Sequence, residues 1–116
     1  MTGALNALPA RVRIVEVGPR DGLQNEAVAL ALADKAAFVR RLAAAGLPAI
    51  EVGAFVRPDR VPQMADTDTL LERLSDLRGP TLSALVPNLR GMERALACGL
   101  REVAVFTAAS DAFARR

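Results

Sequence analysis

The sequence predicts an α/β fold with a parallel sheet, because short β-type runs alternate with stretches of helical periodicity along most of its 116 residues. The order is β-α-β-α-β-α-β, followed by the first residues of another helix. One run recurs, since IVEVG at residues 14–18 resembles AIEVG at residues 49–53. Strands joined through helices pair in parallel by right-handed crossovers. Two folds fit, a small doubly wound sheet and the first half of an eight-stranded barrel of about 250 residues, and periodicity alone favours neither.

The first strand is predicted over residues 12–17, which are rich in β-branched side chains and stop at Gly18. The first helix is predicted over residues 30–45. It ends before Gly46, and no side chain at its start is suited to capping. Its apolar positions recur at helical spacing and fall on one face: Leu32, Ala36, Val39 and Ala43.

The second strand is predicted over residues 49–52. Thr69 and Glu72 match a capping box, so the second helix is expected to begin there. It should end before Gly79, which is followed by a proline. Its buried stripe is formed by leucines: Leu70, Leu71, Leu74 and Leu77.

The third and fourth strands are predicted over residues 81–86 and 103–106. Between them Asn88 can cap a third helix over residues 89–98. Ser110 is a candidate cap for a fourth helix that the sequence barely begins.

Composition argues against several classes of function. The chain has one cysteine, Cys98, and no histidine, so an internal disulfide, a Ser-His-Asp triad, a Cys-His pair or a histidine-rich metal site cannot form from it alone. Its net charge of +2 is too small to indicate nucleic-acid binding. No apolar run approaches the ~20 residues of a membrane span, and the first residues do not resemble a signal peptide, so we expect no membrane association and a cytoplasmic protein.

Polar residues gather where the first strand ends, and in parallel α/β folds that edge of the sheet carries function. Arg20 keeps its charge at any working pH and can hold a developing enolate or a thioester oxygen. Asp21 is a hard oxygen ligand suited to Mg²⁺ or Mn²⁺. Two amides, Gln24 and Asn25, follow closely. The alternative is an ordinary turn in which Arg20 and Asp21 form a surface ion pair of little consequence.

Glu51 lies late in an otherwise apolar strand. A carboxylate inside a barrel needs a partner, and Arg20 at the neighbouring strand end is the obvious one. The alternative is an outward-facing Glu51 bonded to a helix. Asn88 is expected first as a helix cap and can also direct its amide into the site. Cys98 falls on a helix stripe and is interpreted as a small core residue.

Residues 15–26, VEVGPRDGLQNE, resemble the first-strand signature of hydroxymethylglutaryl-CoA lyases. The shorter Arg-Asp-Gly element is shared by a wider group of metallolyases that includes isopropylmalate and homocitrate synthases, whereas the longer form is specific to the lyase branch. Further similarity runs through IEV at 50–52, FV at 55–56, VPQM at 61–64, PNL at 87–89 and AAS at 108–110. It covers nearly all of the chain after Arg11.

The resemblance implies a (β/α)₈ TIM barrel, with residues 1–116 as its N-terminal half. It implies cleavage of 3-hydroxy-3-methylglutaryl-CoA, an acyl-CoA of leucine degradation, into acetyl-CoA and acetoacetate with a divalent metal, Mg²⁺ or Mn²⁺. By the same resemblance Arg20 matches the catalytic arginine that stabilises the enolate, and Asp21 matches a metal ligand. Gln24 and Glu51 match polar groups around the acyl part, and Asn88 matches a further substrate-binding position.

The chain departs from the family pattern on the expected pocket wall. Gly53 and Ala54 stand where relatives carry a hydroxyl pair, and Arg60 stands where many carry an aromatic residue. A lyase for a longer branched 3-hydroxyglutaryl-CoA is therefore an alternative.

The family's metal-binding histidines and the loop with its catalytic cysteine lie beyond the stretch that matches. We therefore expect no lyase activity from the isolated chain. We expect its open sheet edges to favour a homo-oligomer or association with a C-terminal half. A second alternative is a non-catalytic half-barrel that acts as an assembly unit.

Overall fold

Four strands form one parallel sheet in the order β1-β2-β3-β4. In the computed structural model, which describes residues 7–109, the strands are β1 (Val15–Glu16), β2 (Ala49–Ala54), β3 (Thr81–Leu85) and β4 (Glu102–Ala104). The helices that connect them are α1 (Leu32–Ala44), α2 (Thr67–Arg73) and α3 (Leu89–Ala97). Ser110 and the predicted fourth helix lie outside the described residues.

The strand order distinguishes the two folds that the sequence left open. In a doubly wound sheet the order reverses at a switch point, whereas here each strand pairs with the next one in sequence. Successive right-handed crossovers in one direction place all the helices on the same face of the sheet. This arrangement is the wall of a (β/α) barrel, and it confirms the predicted parallel α/β fold.

The core lies between the sheet and its helices. Ile50 and Val52 of β2 are buried against Val39 of α1 and Leu70 of α2. The predicted helix faces are confirmed, because Ala36 and Val39 are buried on α1 while Leu70, Leu71 and Leu74 are buried at α2. Since neighbours along a strand point to opposite faces, Glu51 lies on the face of the sheet away from the helices.

Both outer strands are shorter than predicted, for the same reason. The first residue of β2, Ala49, pairs with Val15, so residues 12–14 have no neighbouring strand to bond. The last residue of β3, Leu85, pairs with Ala104, so residues 105–106 extend past the sheet. Sequence propensity identified the β-type runs, but the length of the partner strand decides where pairing ends.

The capping box predicted at Thr69 is wrong, because α2 already begins at Thr67. The residue before the helix, Asp66, makes no capping hydrogen bond and instead accepts one from Lys35. The hydroxyl of Thr67 is bonded to the end of β2. A tertiary ion pair and a contact with the sheet therefore fix the start of this helix. No helix within residues 7–109 is long and apolar enough to cross a membrane.

Candidate active site at the strand ends

The segment after β1 folds into a π-helical turn, Gly18–Gly22. The carbonyl oxygen of Val17 accepts hydrogen bonds from the backbone N–H groups of Arg20 at 3.1 Å and Asp21 at 2.7 Å. A Cβ on Gly18 would lie 2.8 Å from Glu16 Oε1 and 3.3 Å from the Phe38 ring, so a larger residue there would displace the Glu16 carboxylate that accepts a hydrogen bond from Gly18 N at 2.9 Å. Such π turns are uncommon and occur frequently at functional sites.

This turn brings Arg20 over the end of β2. Arg20 Nε donates to Glu51 Oε1 at 2.6 Å, and the exposed fractions of the two side chains are 19% and 8%. The predicted pairing of Arg20 with Glu51 is confirmed. The alternative of an outward-facing Glu51 is wrong, because Glu51 is bonded to Arg20. The ion pair of the other alternative, between Arg20 and Asp21, is present at 3.6 Å, but Arg20 is mostly buried and its closer partner is Glu51.

Gln24 and Asp21 lie on either side of the remaining guanidinium nitrogens. Arg20 Nη1 donates to Gln24 Oε1 at the long distance of 3.5 Å and lies 3.6 Å from Asp21 Oδ1. No described residue accepts a hydrogen bond from Arg20 Nη2. The structure therefore brings together four of the five predicted site residues, Arg20, Asp21, Gln24 and Glu51, and leaves one guanidinium nitrogen with donor capacity.

The carboxylate of Asp21 is accessible, with 57% of its side chain exposed. It accepts no hydrogen bond from a described side chain, since Asn25 Nδ2 bonds its backbone carbonyl instead. Within residues 7–109 no three acidic, cysteine or histidine residues gather closely enough to hold a metal ion. Asp21 can therefore supply one ligand to a cation, and the other ligands must come from water, substrate or another chain segment.

The fifth predicted residue, Asn88, lies at the end of β3 as the cap of α3. Its Oδ1 accepts a hydrogen bond from Gly91 N at 2.8 Å, which confirms the predicted capping role. It makes no hydrogen bond with Arg20 or Glu51. Asn88 instead borders two open clefts beside the loop that follows β2.

Sequence reasoning missed the contact that holds the loop after β2. Lys35 of α1 is 3% exposed; its Nζ donates to Asp66 Oδ1 at 2.6 Å and to the carbonyl oxygen of Gln63. Gln63 Nε2 in turn donates to the carbonyl oxygen of Glu26 at 2.8 Å. Lys35 thus links this loop to α1, and Gln63 links it to the segment that carries Arg20. The available signal was that Lys35 is the one lysine in a chain otherwise rich in arginine.

The small residues that end β2 accommodate α2. A Cβ on Gly53 would lie 2.5 Å from Thr67 Oγ1 and 2.8 Å from Thr67 Cγ2. Thr67 Oγ1 accepts a hydrogen bond from Ala54 N at 3.3 Å and lies 2.9 Å from the carbonyl oxygen of Met64, to which it can donate. Gly53 therefore faces α2 on the helix side of the sheet, and its missing side chain leaves room for Thr67.

Cys98 packs partly buried against the core, as predicted. Its burial, together with the nearby carboxylate of Asp68, raises the pKa of the thiol above its ordinary value. A raised pKa suppresses the thiolate, so Cys98 is not an activated nucleophile.

Comparisons with known proteins agree with this geometry. The family described as HMGL-like, a family of metal-dependent lyases, matches residues 11–116. A curated relative from Pseudomonas aeruginosa, 3-hydroxy-3-isohexenylglutaryl-CoA/hydroxy-methylglutaryl-CoA lyase, is 55% identical over 109 residues, which are 94% of this chain and 36% of the relative.

Solved structures give the same result. A hydroxymethylglutaryl-CoA lyase from Pseudomonas aeruginosa superposes with a TM-score of 0.85 at 55% identity, over 94% of this chain and 36% of that one. An HMG-CoA lyase from Acinetobacter baumannii, solved with coenzyme A and 3-methylmalate, superposes with a TM-score of 0.82 at 29% identity, over 88% of this chain and 33% of that one. The chain thus spans about a third of the length of these relatives and corresponds to part of a TIM barrel.

Proposed function

This chain belongs to the HMGL-like family, and from that membership we propose that it supplies the N-terminal half of the barrel of a hydroxymethylglutaryl-CoA lyase. The reaction is retro-Claisen cleavage of 3-hydroxy-3-methylglutaryl-CoA to acetyl-CoA and acetoacetate, as in leucine degradation. The observation that carries the proposal is the Arg20–Glu51 pair at the carboxyl ends of parallel strands.

Arg20 is proposed to stabilise the enolate that forms as the carbon–carbon bond breaks. Nε and Nη1 face Glu51 and Gln24, so Nη2 is the donor left for the thioester oxygen. The 2.6 Å hydrogen bond that Arg20 Nε donates to Glu51 fixes the guanidinium plane before substrate arrives. Donors held in advance stabilise developing charge without reorganisation during the reaction.

Asp21 is proposed as a ligand of the divalent cation, Mg²⁺ or Mn²⁺. Its accessible carboxylate fits a hard cation, and the neighbouring guanidinium keeps it close to the proposed enolate position. A bound cation would acidify the tertiary hydroxyl of the substrate and orient it. Asp21 contributes one carboxylate, so we expect the chain alone to bind metal weakly and to lack turnover.

Gln24 and Asn88 are proposed to bind the acyl-CoA substrate. Gln24 faces the same guanidinium as Glu51, so its amide would lie beside the reacting carbons of a substrate held by Arg20. Asn88 uses its oxygen to cap α3 and keeps its Nδ2 donor for substrate.

Exposed apolar side chains on and beside the two outer strands support the proposed association with a C-terminal half or a second copy. Val15, Val17, Val105 and Phe106 are exposed by between 36% and 75%. Apolar side chains beside unpaired strand edges favour further strand pairing. Cytoplasmic localisation stays a prediction.

A longer branched substrate is the second candidate, because the curated Pseudomonas aeruginosa relative is named for both isohexenylglutaryl-CoA and hydroxymethylglutaryl-CoA. The resemblance expects hydroxyl groups where this chain has Gly53 and Ala54, but both residues are buried and Gly53 packs against Thr67 of α2, so this candidate rests on the name of the relative.

The experiment joins residues 1–109 of this chain to the remaining sequence of the Pseudomonas aeruginosa lyase and measures, with Mg²⁺, the release of acetyl-CoA, which is the product common to both thioesters. We expect turnover by the hybrid, and we expect Arg20→Gln to lower kcat by about 10²–10³-fold, as removal of a preorganised donor does. Arg101→Gln removes an exposed charge far from the site and should leave kcat within about twofold. Wild-type turnover by the Arg20→Gln hybrid, or a folded hybrid that cleaves neither thioester, would contradict the proposal. The ratio of kcat/KM for the two thioesters decides between the substrates.

A further inference from the structure

Two open clefts border the loop that follows β2. The first has a volume of about 640 Å³ and is lined by three arginines, Arg57, Arg90 and Arg94, together with one carboxylate, Asp59. The second has a volume of about 730 Å³ and adds Arg60. Because both are lined by Arg57 and Asn88, they form one continuous surface, which we name the arginine cleft.

Two of its four guanidinium groups are held by carboxylates. Arg57 donates to both oxygens of Asp59, at 3.1 and 2.8 Å. Arg94 donates to Asp68 at 3.3 Å, and its guanidinium carbon lies 5.0 Å from the centre of the Phe55 ring. These contacts fix both side chains and balance their charges.

The other two, Arg60 and Arg90, are exposed and form no ion pair with a described carboxylate. Four guanidinium groups therefore face two carboxylates, which leaves a local surplus of two positive charges. The charge of the whole chain is +2. The surplus in the cleft thus equals the net charge of the whole chain, and the charges of the remaining residues balance.

Guanidinium groups offer planar pairs of N–H donors that match the oxygens of a phosphate group. The cleft volumes fall within the range of about 300–1,000 Å³ that small-molecule sites occupy. A cleft of this size on a nearly neutral chain suits a small phosphate-bearing molecule better than nucleic acid, which needs a wider basic surface. We propose that the arginine cleft binds a phosphate group of a small molecule, with Arg60 and Arg90 as its direct contacts.

The phosphate has two candidate sources, the nucleotide end of a CoA thioester and free inorganic phosphate. Of these two sources, only CoA depends on the proposed lyase function. The site itself is tested by binding to this chain, without turnover, so its failure and the failure of the lyase proposal are distinguishable.

The test titrates the ¹⁵N-labelled chain with inorganic phosphate, with 3′,5′-ADP and with CoA, and follows amide shifts by NMR. We expect saturable shifts confined to residues 55–61 and 88–94. The double variant Arg60→Gln/Arg90→Gln should raise Kd at least about tenfold, because it removes both charge-assisted contacts. The matched double variant Arg41→Gln/Arg101→Gln removes the same charge at exposed positions elsewhere and should change Kd less than about twofold.

Tighter binding of 3′,5′-ADP and CoA than of inorganic phosphate would support the site and identify the nucleotide end of CoA. Equal affinities would support the site and identify a free phosphate ion. The absence of saturable shifts with all three ligands would overturn the proposal. So would equal weakening by the two double variants, because binding would then reflect overall charge.

Discussion

Replacing Glu51 by glutamine tests whether the Arg20–Glu51 pair stabilises the fold as well as orienting the guanidinium. The bond is charge-assisted and short, at 2.6 Å, and Glu51 is 8% exposed in its side chain. Removing one partner of a fully buried pair costs about 3–5 kcal/mol. Arg20 is 19% exposed and lies 3.6 Å from Asp21, so its charge keeps partial compensation. The glutamine retains an acceptor oxygen, and we therefore expect a loss of about 1–2 kcal/mol.

The measurement is urea unfolding followed by far-ultraviolet circular dichroism, because the chain has no Trp or Tyr to report by fluorescence. A domain of this size has an m-value of about 1–2 kcal/mol per M urea, so the midpoint should fall by about 1 M. Glu72→Gln changes an exposed carboxylate on α2 and should shift the free energy of unfolding by less than about 0.5 kcal/mol. Equal midpoints for the two variants would refute a stabilising role for the pair.

Three further substitutions test contacts that helices α1 and α2 make with neighbouring segments. Lys35→Met removes the buried ammonium that bonds the loop after β2, and should raise amide hydrogen exchange at residues 61–66 more than in the rest of the chain. Gly53→Ala places a methyl group against Thr67 and should destabilise the chain by about 1–3 kcal/mol in urea unfolding, with partial relief when Thr67→Ala is added. Arg40→Gln should raise the pKa of Asp76 toward its ordinary value in a carboxyl NMR titration, because the Arg40 hydrogen bond lowers it.

Each of these three predictions has a control variant, a double variant or a pH dependence whose result can contradict it. Arg41→Met changes an exposed position of the same helix, α1, and should leave exchange at residues 61–66 unchanged. Additive effects of Gly53→Ala and Thr67→Ala would exclude the predicted steric contact. The pKa of Asp76 is lowered by folding, so its stabilisation is present above the ordinary Asp pKa of about 3.9 and is lost as pH falls through the lower folded value. A loss of this contribution as pH rises would contradict the assignment.

The sequence predicted most of the fold because β-type runs, leucine stripes and glycine stops act locally. The start of α2 could not be predicted, since the ion pair between Lys35 and Asp66 joins residues 31 positions apart. The ends of the outer strands depend on where their partner strands end. Local sequence patterns carry no information about this ion pair or about the length of a partner strand.

The candidate site, like the fold, could be predicted where it depends on local sequence and strand order, and not where it depends on residues that share no motif. The grouping of Arg20 with Asp21 and Gln24 could be predicted because the three residues lie within five consecutive positions, 20–24. Their meeting with Glu51 followed from the parallel order of β1 and β2, which brings the ends of neighbouring strands together. The arginine cleft escaped prediction because Arg60 and Arg90 follow different strands and form no sequence motif.

The most direct test of the proposed lyase site is calorimetric titration of Mn²⁺ into the 116-residue chain and into the hybrid barrel described above. The proposal predicts little or no binding heat with the chain alone, because Asp21 offers one carboxylate. It predicts one bound ion in the hybrid and loss of that binding in its Asp21→Asn variant. Tight binding by the chain alone, or unchanged binding in the Asp21→Asn hybrid, would contradict the assignment of Asp21 and the account of the site built around it.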